Sequence, residues 1–533
     1  MGYIDIENLS YSYRIGSNKV LNDINLSIDK GEIVLIMGES GSGKSSLLRT
    51  LTGAIPHFYG GEISGRVLYE GKSLSDMTQR ERASKVAMVF QSPERQIIMD
   101  KVHKEVAFSL ENIAVPENTI RRRVFEALQF LKLLPYAYKD IDNLSGGEKQ
   151  KVVLASVLAM KTDVIILDEP TSQLDPQSSE EFINLLKKIN QELGKTIIIV
   201  EQKVDYIYDI ADKIILLKEG KVDFIGTRQE LYKRNDARFL PMYLKIARQF
   251  HFTDIRDIRD MRRQLEIYLQ DKRRISNESS NIDIEEKVIL DIHNMNVRIE
   301  NKDILKDINI EFCEGKIYSI LGENGAGKST LLKAIMNLIR YNGTIKLRDK
   351  KLSKIKSSEI AHYIGYVSQN PNDYISKDTV YDEVKFTLDN FGIDNTTQVD
   401  EVLKELGIDN LRDKNPRDIS EGEKERVAIA SILVMNTDII LLDEPSKGLD
   451  YESKKKLGDI LKHLKEQGRT IIMVSHDIDY VAEYSDNIIL LLNGEIIDKG
   501  KTRDILSEGI YYTSTVNRLY SGAFTLEELS EYE

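Results

Sequence analysis

The 533-residue sequence has one cysteine, no tryptophan and only ten prolines. A lone cysteine, Cys313, excludes an internal disulfide and any multi-cysteine metal cluster, and fits a reducing compartment. No apolar run approaches the roughly eighteen residues that span a bilayer. The opening MGYIDIENLS lacks the basic-then-apolar order of a secretory leader. An excess of positive charge is missing too. The formal net charge of −12 argues against general nucleic-acid affinity, which rests on basic patches meeting phosphates. What remains, 41% apolar and 30% charged residues, is a globular composition with length for two or three domains.

The chain repeats itself. GESGSGKSS at 38–46 returns as GENGAGKST at 322–330, and LSGGEKQKVVLAS at 144–156 as ISEGEKERVAIAS at 419–431. TDVIILDEPTSQLD at 162–175 returns as TDIILLDEPSKGLD at 437–450. In each copy 23 residues separate a serine from an aspartate: Ser145 from Asp168, and Ser420 from Asp443. A period of about 280 residues is far beyond a solenoid repeat and means tandem domains, placed at 1–225 and 288–533. Each opens with short alternating strands, then runs an apolar strand, EIVLIM or KIYSIL, into a glycine loop. A polar, helix-rich middle leads to a second apolar strand, VIILD or IILLD. Buried strands separated by helical patterns predict an α/β fold with a mostly parallel sheet covered on both faces. Residues 226–287 form a linker of another kind. There DIRDIRDMRRQLEIYLQDKRR sets Ile255, Ile258, Leu265 and Leu269 at helical spacing amid basic residues, predicting a surface helix packed on the first domain. SNESSN at 276–281 reads as a flexible joint.

The glycine loops fit G-x-x-x-x-G-K-[ST], in which Gly38, Gly41 and Gly43, or Gly322, Gly325 and Gly327, let backbone N–H groups turn inward around phosphates. Lys44 and Lys328 would reach the β- and γ-phosphates, and Ser45 and Ser329 would ligate Mg2+. Ser46 and Thr330 complete the two loops. Asp168 and Asp443 end apolar strands, where a carboxylate reaches the metal. Glu169 and Glu444 follow, suited to a base that orients or activates water. A chance glycine turn or a solvated strand end explains one copy poorly, and two copies at fixed spacing worse.

With the LSGGE-type segment added, the chain resembles the ABC ATPase family over essentially both repeats. That resemblance implies two tandem P-loop NTPase domains, each with an antiparallel β subdomain and a helical subdomain beside the core sheet. It implies ATP and Mg2+ as cofactors. It makes Ser145, Gly146, Gly147, Ser420 and Gly422 contacts to the γ-phosphate held by the opposite domain. Gln91 and Gln369 match the glutamines that touch the metal and a membrane partner, and Asp175 and Asp450 the aspartates of the following loop. Tyr13, with Tyr11 as the alternative, matches the aromatic that stacks on adenine, while the second copy has Ile299 there. Ser145-x-x-Glu148 and Ser420-x-x-Glu423 also satisfy the capping-box pattern, and both readings hold, since a capped helix start presents free N–H groups to an anion.

Domains of this family pack head to tail. One composite site would take Lys44, Ser45, Asp168, Glu169 and Gln202 with ISEGE. The other would take Lys328, Ser329, Asp443, Glu444 and His476 with LSGGE. Two departures then share the first site: Glu421 replaces a glycine, and Gln202 in TIIIVEQK stands where TIIMVSHD has His476. Glutamine still donates through its amide but cannot become cationic. The expectation is a first site that hydrolyses slowly and a second that does most of the turnover, with harmless drift as the alternative.

IPHFYGGEISGRVLYEG at 55–71 and VFQSPERQIIMDKVHKEVAFSLEN at 89–112 resemble the ATPases of energy-coupling factor (ECF) importers for vitamins and cobalt or nickel. NPNDYISKDTVYDEVKFTLDN at 370–390 and YYTSTVNRLY at 511–520 follow the same plan. This resemblance implies peripheral association with the cytoplasmic face of the cell membrane. It also implies a separate transmembrane scaffold, a small substrate-binding membrane subunit and no nucleic acid. Arg95, Gln96, Ile97 and Tyr374 would wall a groove for a coupling helix of the scaffold. The rivals are a soluble twin-ABC ATPase acting on the ribosome, which the basic helix favours and DIDYVAEYSD after His476 opposes, and a fused sugar-importer ATPase.

Overall fold

The computed structural model describes residues 2–532 apart from 15, 17, 235, 254, 271, 273–286 and 301, so the expected joint at 276–281 lies outside the described residues. Contacts divide the chain into two units, Met1–Lys245 and Ile246–Glu533.

In the first unit the apolar strands line up as the pattern requires. A six-stranded sheet runs in the order Lys221–Gly226, Lys213–Lys218, Ile33–Met37, Thr196–Val200, Val164–Asp168 and Val86–Val89. All neighbours are parallel except the edge strand Lys221–Gly226. The alternating strands form a separate antiparallel sheet: Leu21–Ile28, Ile4–Ser12, Glu62–Tyr69, Lys72–Ser73. One apolar cluster runs from Ile4, Ile6 and Ile24 through Leu47 and Leu48 to Val34 and Ile166. The helix Lys44–Leu51 is thus gripped between the two sheets, which fixes its N-terminus. Helices Val102–Asn112, Glu117–Phe130 and Gly146–Met160 make up the third layer.

The second unit repeats the plan. Its parallel sheet runs Ile364–Val367, Ile439–Asp443, Thr470–Val474, Ile317–Leu321, Asn487–Leu492, with Glu495–Lys501 antiparallel at the edge. Its antiparallel sheet holds Lys302–Cys313, Val288–Ile299, Asn342–Leu347 and Lys350–Lys351. In both units the strand before the glycine loop neighbours the strand that ends at Val200 or Val474, and that strand neighbours the one ending in aspartate. Three chain segments therefore arrive together at the carboxyl edge of a parallel sheet, where ligands bind in such folds.

The expected linker does not stand apart. Tyr208 Oη donates to Arg228 O at 2.8 Å and Tyr243 Oη to Asp209 Oδ1 at 2.6 Å, tying its start to the first unit. The helix Ile258–Leu269 belongs to the second unit, which corrects the expectation that it packs on the first domain. Asp257 caps it, Met261, Leu265 and Leu269 form its buried stripe, and Arg262 Nη2 donates to Arg518 O at 2.7 Å. The stripe faces the C-terminal helix Thr515–Leu519, a partner that spacing along the helix cannot name. Truncating fully buried Leu265 to alanine should cost about 2–5 kcal/mol. Ile258→Ala, on the exposed side, should cost within about 0.5 kcal/mol. Denaturant unfolding of the two variants checks this, and equal shifts would show that the stripe is not docked.

Candidate active sites

Each glycine loop is dictated by crowding. A Cβ on Gly38 would lie 2.3 Å from the Leu217 carbonyl oxygen, and one on Gly322 would lie 2.0 Å from that of Leu491. Gly43 and Gly327 hold φ of 99° and 101° and open the helices Lys44–Leu51 and Lys328–Ile335 without a side-chain cap. The first helical N–H groups are left for an anion. Lys44 Nζ donates to Gly38 O and Glu39 O, both at 2.8 Å. Lys328 Nζ does the same to Gly322 O at 2.9 Å and Glu323 O at 2.8 Å. An ammonium thus sits over each loop, with Gly41 and Gly325 turning the chain beneath it.

Asp168 accepts from Ser45 Oγ at 3.4 Å, and Tyr366 Oη donates to Asp443 Oδ2 at 3.4 Å. Burial pushes both carboxyls above the usual range. Asp443 Oδ1 is buried without a hydrogen-bond partner. Such an orphaned oxygen, beside the Ser329 hydroxyl, fits a hard divalent cation. Ser45, Asp168 and Gln91 would hold Mg2+ in the first copy, and Ser329, Asp443 and Gln369 in the second. When bound, the cation offsets charge on the phosphates.

The glutamates beyond these aspartates part company. Glu169 Oε2 accepts from Gln91 Nε2 at 2.9 Å, and its Oε1 from Gln202 Nε2 at 2.6 Å. Both carboxylate oxygens are engaged by neutral amides. Gln202 Oε1 is itself buried without a partner. Burial, with the charges of Glu201 and Asp168 nearby, pushes the Glu169 carboxyl up to about 8. In the second copy Glu444 Oε1 meets His476 Nε2 at 2.8 Å, and Gln369 makes no bond to it. Burial raises that carboxyl too, but the His476 charge beside it and their hydrogen bond win, leaving it below the ordinary range. The Glu444 carboxyl is thus held below its ordinary range beside an imidazole, while the Glu169 carboxyl is held well above it between two neutral amides.

At the base end, Tyr13 is 38% exposed and its hydroxyl shares a hydrogen bond with Ser46 Oγ at 3.0 Å. Arg49 Nη1 donates to that hydroxyl at 3.0 Å while its guanidinium lies 4.5 Å from the Tyr59 ring centre. Tyr11 is buried in the core and donates to Gly60 O, which leaves Tyr13 as the accessible aromatic. Ile299 occupies the matching place in the second copy and is exposed. Ser145 and Ser420 form the expected capping boxes with Glu148 and Glu423 at the starts of Gly146–Met160 and Glu421–Leu433. Gly147 and Gly422 pack against Ser178 and Ser453, whereas Gly146 faces open space. Glu421 therefore crowds nothing in its own unit; it is exposed and bonds Lys424 Nζ at 2.8 Å. Neither signature serine bonds the glycine loop of its own copy. Each unit brings together loop, aspartate, glutamate and switch residue, and leaves its signature elsewhere.

A family profile described as ABC transporter matches residues 21–172 and 305–447. The chain belongs to the ABC transporter ATP-binding family. A protein of Bacillus anthracis, provisionally described as an ABC transporter ATP-binding protein, is 35% identical over 526 residues, covering 97% of this chain and 95% of its own length. Among solved structures, the archaeal ribosome recycling factor aABCE1, in complex with stalk protein aP1, covers 94% of this chain and 91% of its own, at 20% identity and a TM-score of 0.57. That is a likeness of fold. The structure of cbiO1 from Clostridium perfringens, part of the cbiONQ transporter complex, covers 47% of this chain and 96% of its own, at 32% identity and a TM-score of 0.41.

In this ABC ATPase the loops after Gln91 and Gln369 are stapled from within. Gln96 Oε1 accepts from Phe90 N at 3.0 Å and its Nε2 donates to Met88 O at 2.9 Å. The Tyr374 hydroxyl accepts from Ser368 N. These two expected groove residues bond back to their own loops, and the apolar side chain the first loop presents is Ile98, 67% exposed. Sequence reasoning missed Glu105 and Glu383. Each is buried, and one oxygen accepts two backbone N–H groups: Ile98 and Met99 at 2.9 and 2.8 Å, Ser376 and Lys377 both at 2.7 Å. The signal was present, because 14 residues separate Gln91 from Glu105 and Gln369 from Glu383. Replacing Glu105 by alanine should speed amide exchange at Ile98 and Met99 by about tenfold or more, since hydrogen bonds to a charged acceptor are worth roughly 1.5–3 kcal/mol. Glu383→Ala should do so at Ser376 and Lys377, and unchanged exchange would refute the staple.

Proposed function

We propose that this ABC ATPase is the energy-coupling subunit of an ECF-type importer for a vitamin or a transition-metal ion. It works at the cytoplasmic face of the membrane with MgATP and drives a separate scaffold and a small substrate-binding subunit. The motifs at 55–71, 89–112, 370–390 and 511–520 support the ECF reading. Membrane crossing is assigned to the partners; among the described residues no helix is long and apolar enough to cross. ATP binding draws the two copies together and hydrolysis lets them part, the available work being the difference in ATP affinity between the two states.

One observation carries the mechanism. Glu444 is paired with His476, and Glu169 is bound at both oxygens by Gln91 and Gln202. The second copy's glutamate serves as the working base, while the first site holds ATP against Tyr13 and turns it over slowly. On the head-to-tail pairing that the family implies, Glu421 serves the same nucleotide as Gln202. The intact Glu169 fits slow hydrolysis rather than none.

Two measurements test this. Affinity purification from solubilised membranes should retain small, apolar membrane proteins; ribosomal proteins in their place would favour the ribosome-acting alternative. In the retained complex, Lys328→Ala should lower the ATPase rate by about tenfold or more and Lys44→Ala by distinctly less. Equal losses would sink the asymmetry.

A further inference from the structure

Glu201 is a buried carboxylate for which the hydrolytic reading has no use. It is 2% exposed, and a carboxylate taken out of water persists only when its lone pairs are met. Here four donors meet them. Oε2 accepts from Thr171 N at 3.2 Å and Thr171 Oγ1 at 2.8 Å, and Oε1 from Gln202 N at 3.1 Å and Lys203 N at 3.4 Å. Thr171 lies in the turn just beyond Glu169, and Gln202 is the switch residue that bonds Glu169. One buried carboxyl group thus fastens the turn after the glutamate to the strand end that carries the switch.

The second copy has no such fastening. Ser475 stands where the first copy has Glu201, and Ser446 where it has Thr171. The Ser475 hydroxyl is too short to reach the turn and accepts instead from Asp477 N at 3.1 Å. No side-chain bond joins Ser475 to Ser446, and the Glu444–His476 pair ties the second copy's switch to its glutamate. The backbone frame is otherwise the same. Glu169 N donates to Val200 O at 2.8 Å, and Glu444 N to Val474 O at 3.0 Å. The lock is thus a difference laid on a shared backbone frame.

We propose that Glu201 is a positioning residue of the first ATP site: it locks Thr171 and Gln202 together, so that Gln202 stays on Glu169 through the nucleotide cycle. The first site's switch is static and the second's moves. This deepens the asymmetric reading above and rests on it.

Two experiments on the full chain separate the lock from that reading. Hydrogen exchange read by mass spectrometry, with and without MgATP, reports the lock directly. Adding MgATP should leave protection of residues 200–204 unchanged within about twofold, while that of 474–478 shifts by about tenfold or more. In a Glu201→Ser chain, 200–204 should become as nucleotide-sensitive as 474–478. Glu201→Gln, which keeps an acceptor oxygen, should give an intermediate response and serves as the variant if serine impairs folding. Nucleotide-sensitive exchange at 200–204 in the unaltered chain, or none gained on removing Glu201, overturns the proposal. The second experiment silences the second copy with Glu444→Gln, so that the turnover left belongs to the first. There kcat of Glu201→Ser with Gln202→His should exceed that of Gln202→His alone by about fivefold or more at a KM within about twofold, because a histidine switch needs freedom to move. Equal kcat values overturn the lock. Should Glu444→Gln keep more than about half of the unaltered rate, the asymmetric reading is what fails, and the exchange data alone decide the lock.

Discussion

Both ATP sites hang on one backbone hydrogen bond, from the amide of the glutamate after the strand-ending aspartate to the carbonyl that ends the next strand. Glu169 N reaches Val200 O and Glu444 N reaches Val474 O. Each glutamate takes a left-handed φ, 44° and 62°, to make it. For a non-glycine residue that conformation carries a cost, and it persists where the surroundings over-determine it. Its effect is to set the carboxylate against the residue two places beyond the carbonyl, which is Gln202 in one copy and His476 in the other.

Chemistry then follows from what stands opposite. An imidazole can carry a proton and leave the glutamate ionised; an amide donates and accepts hydrogen bonds but cannot become cationic. In a site this buried the difference is large, because a carboxylate without a cationic neighbour favours its neutral form. The first copy adds a second buried carboxylate, Glu201, and answers it with hydrogen bonds alone. Its fixed geometry and low ionisation both suit retention of nucleotide. The second copy's pair, with an orphaned Asp443 oxygen beside it, suits turnover.

Much of this was legible in the chain because duplication made the motifs testable against each other. Glycine loops, paired carboxylates, capping boxes and the mostly parallel pairing of apolar strands all follow from local pattern, whereas the strand order does not. What stayed hidden depends on contacts across the fold. The helix Ile258–Leu269 was read correctly as a helix, yet its docking on the second unit depends on a C-terminal helix far away in sequence. Glu421 was legible as a replaced glycine, but that its exposed side chain turns to Lys424 needs the helix in three dimensions. Gln96 and Tyr374 looked like surface contacts, and their bonds to backbone are set by the loop's return path. Glu201 was in plain sight as part of VEQK, and only the structure shows that its partner is Thr171.

The central claim is that the two copies treat the same nucleotide differently. Vanadate trapping with a photoreactive ATP analogue, followed by mapping of labelled peptides, tests it most directly. The account predicts trapped diphosphate on peptides around Lys328 in excess of those around Lys44 by about fivefold or more, with unhydrolysed triphosphate retained at the first copy. Equal trapped diphosphate on both loops would contradict it.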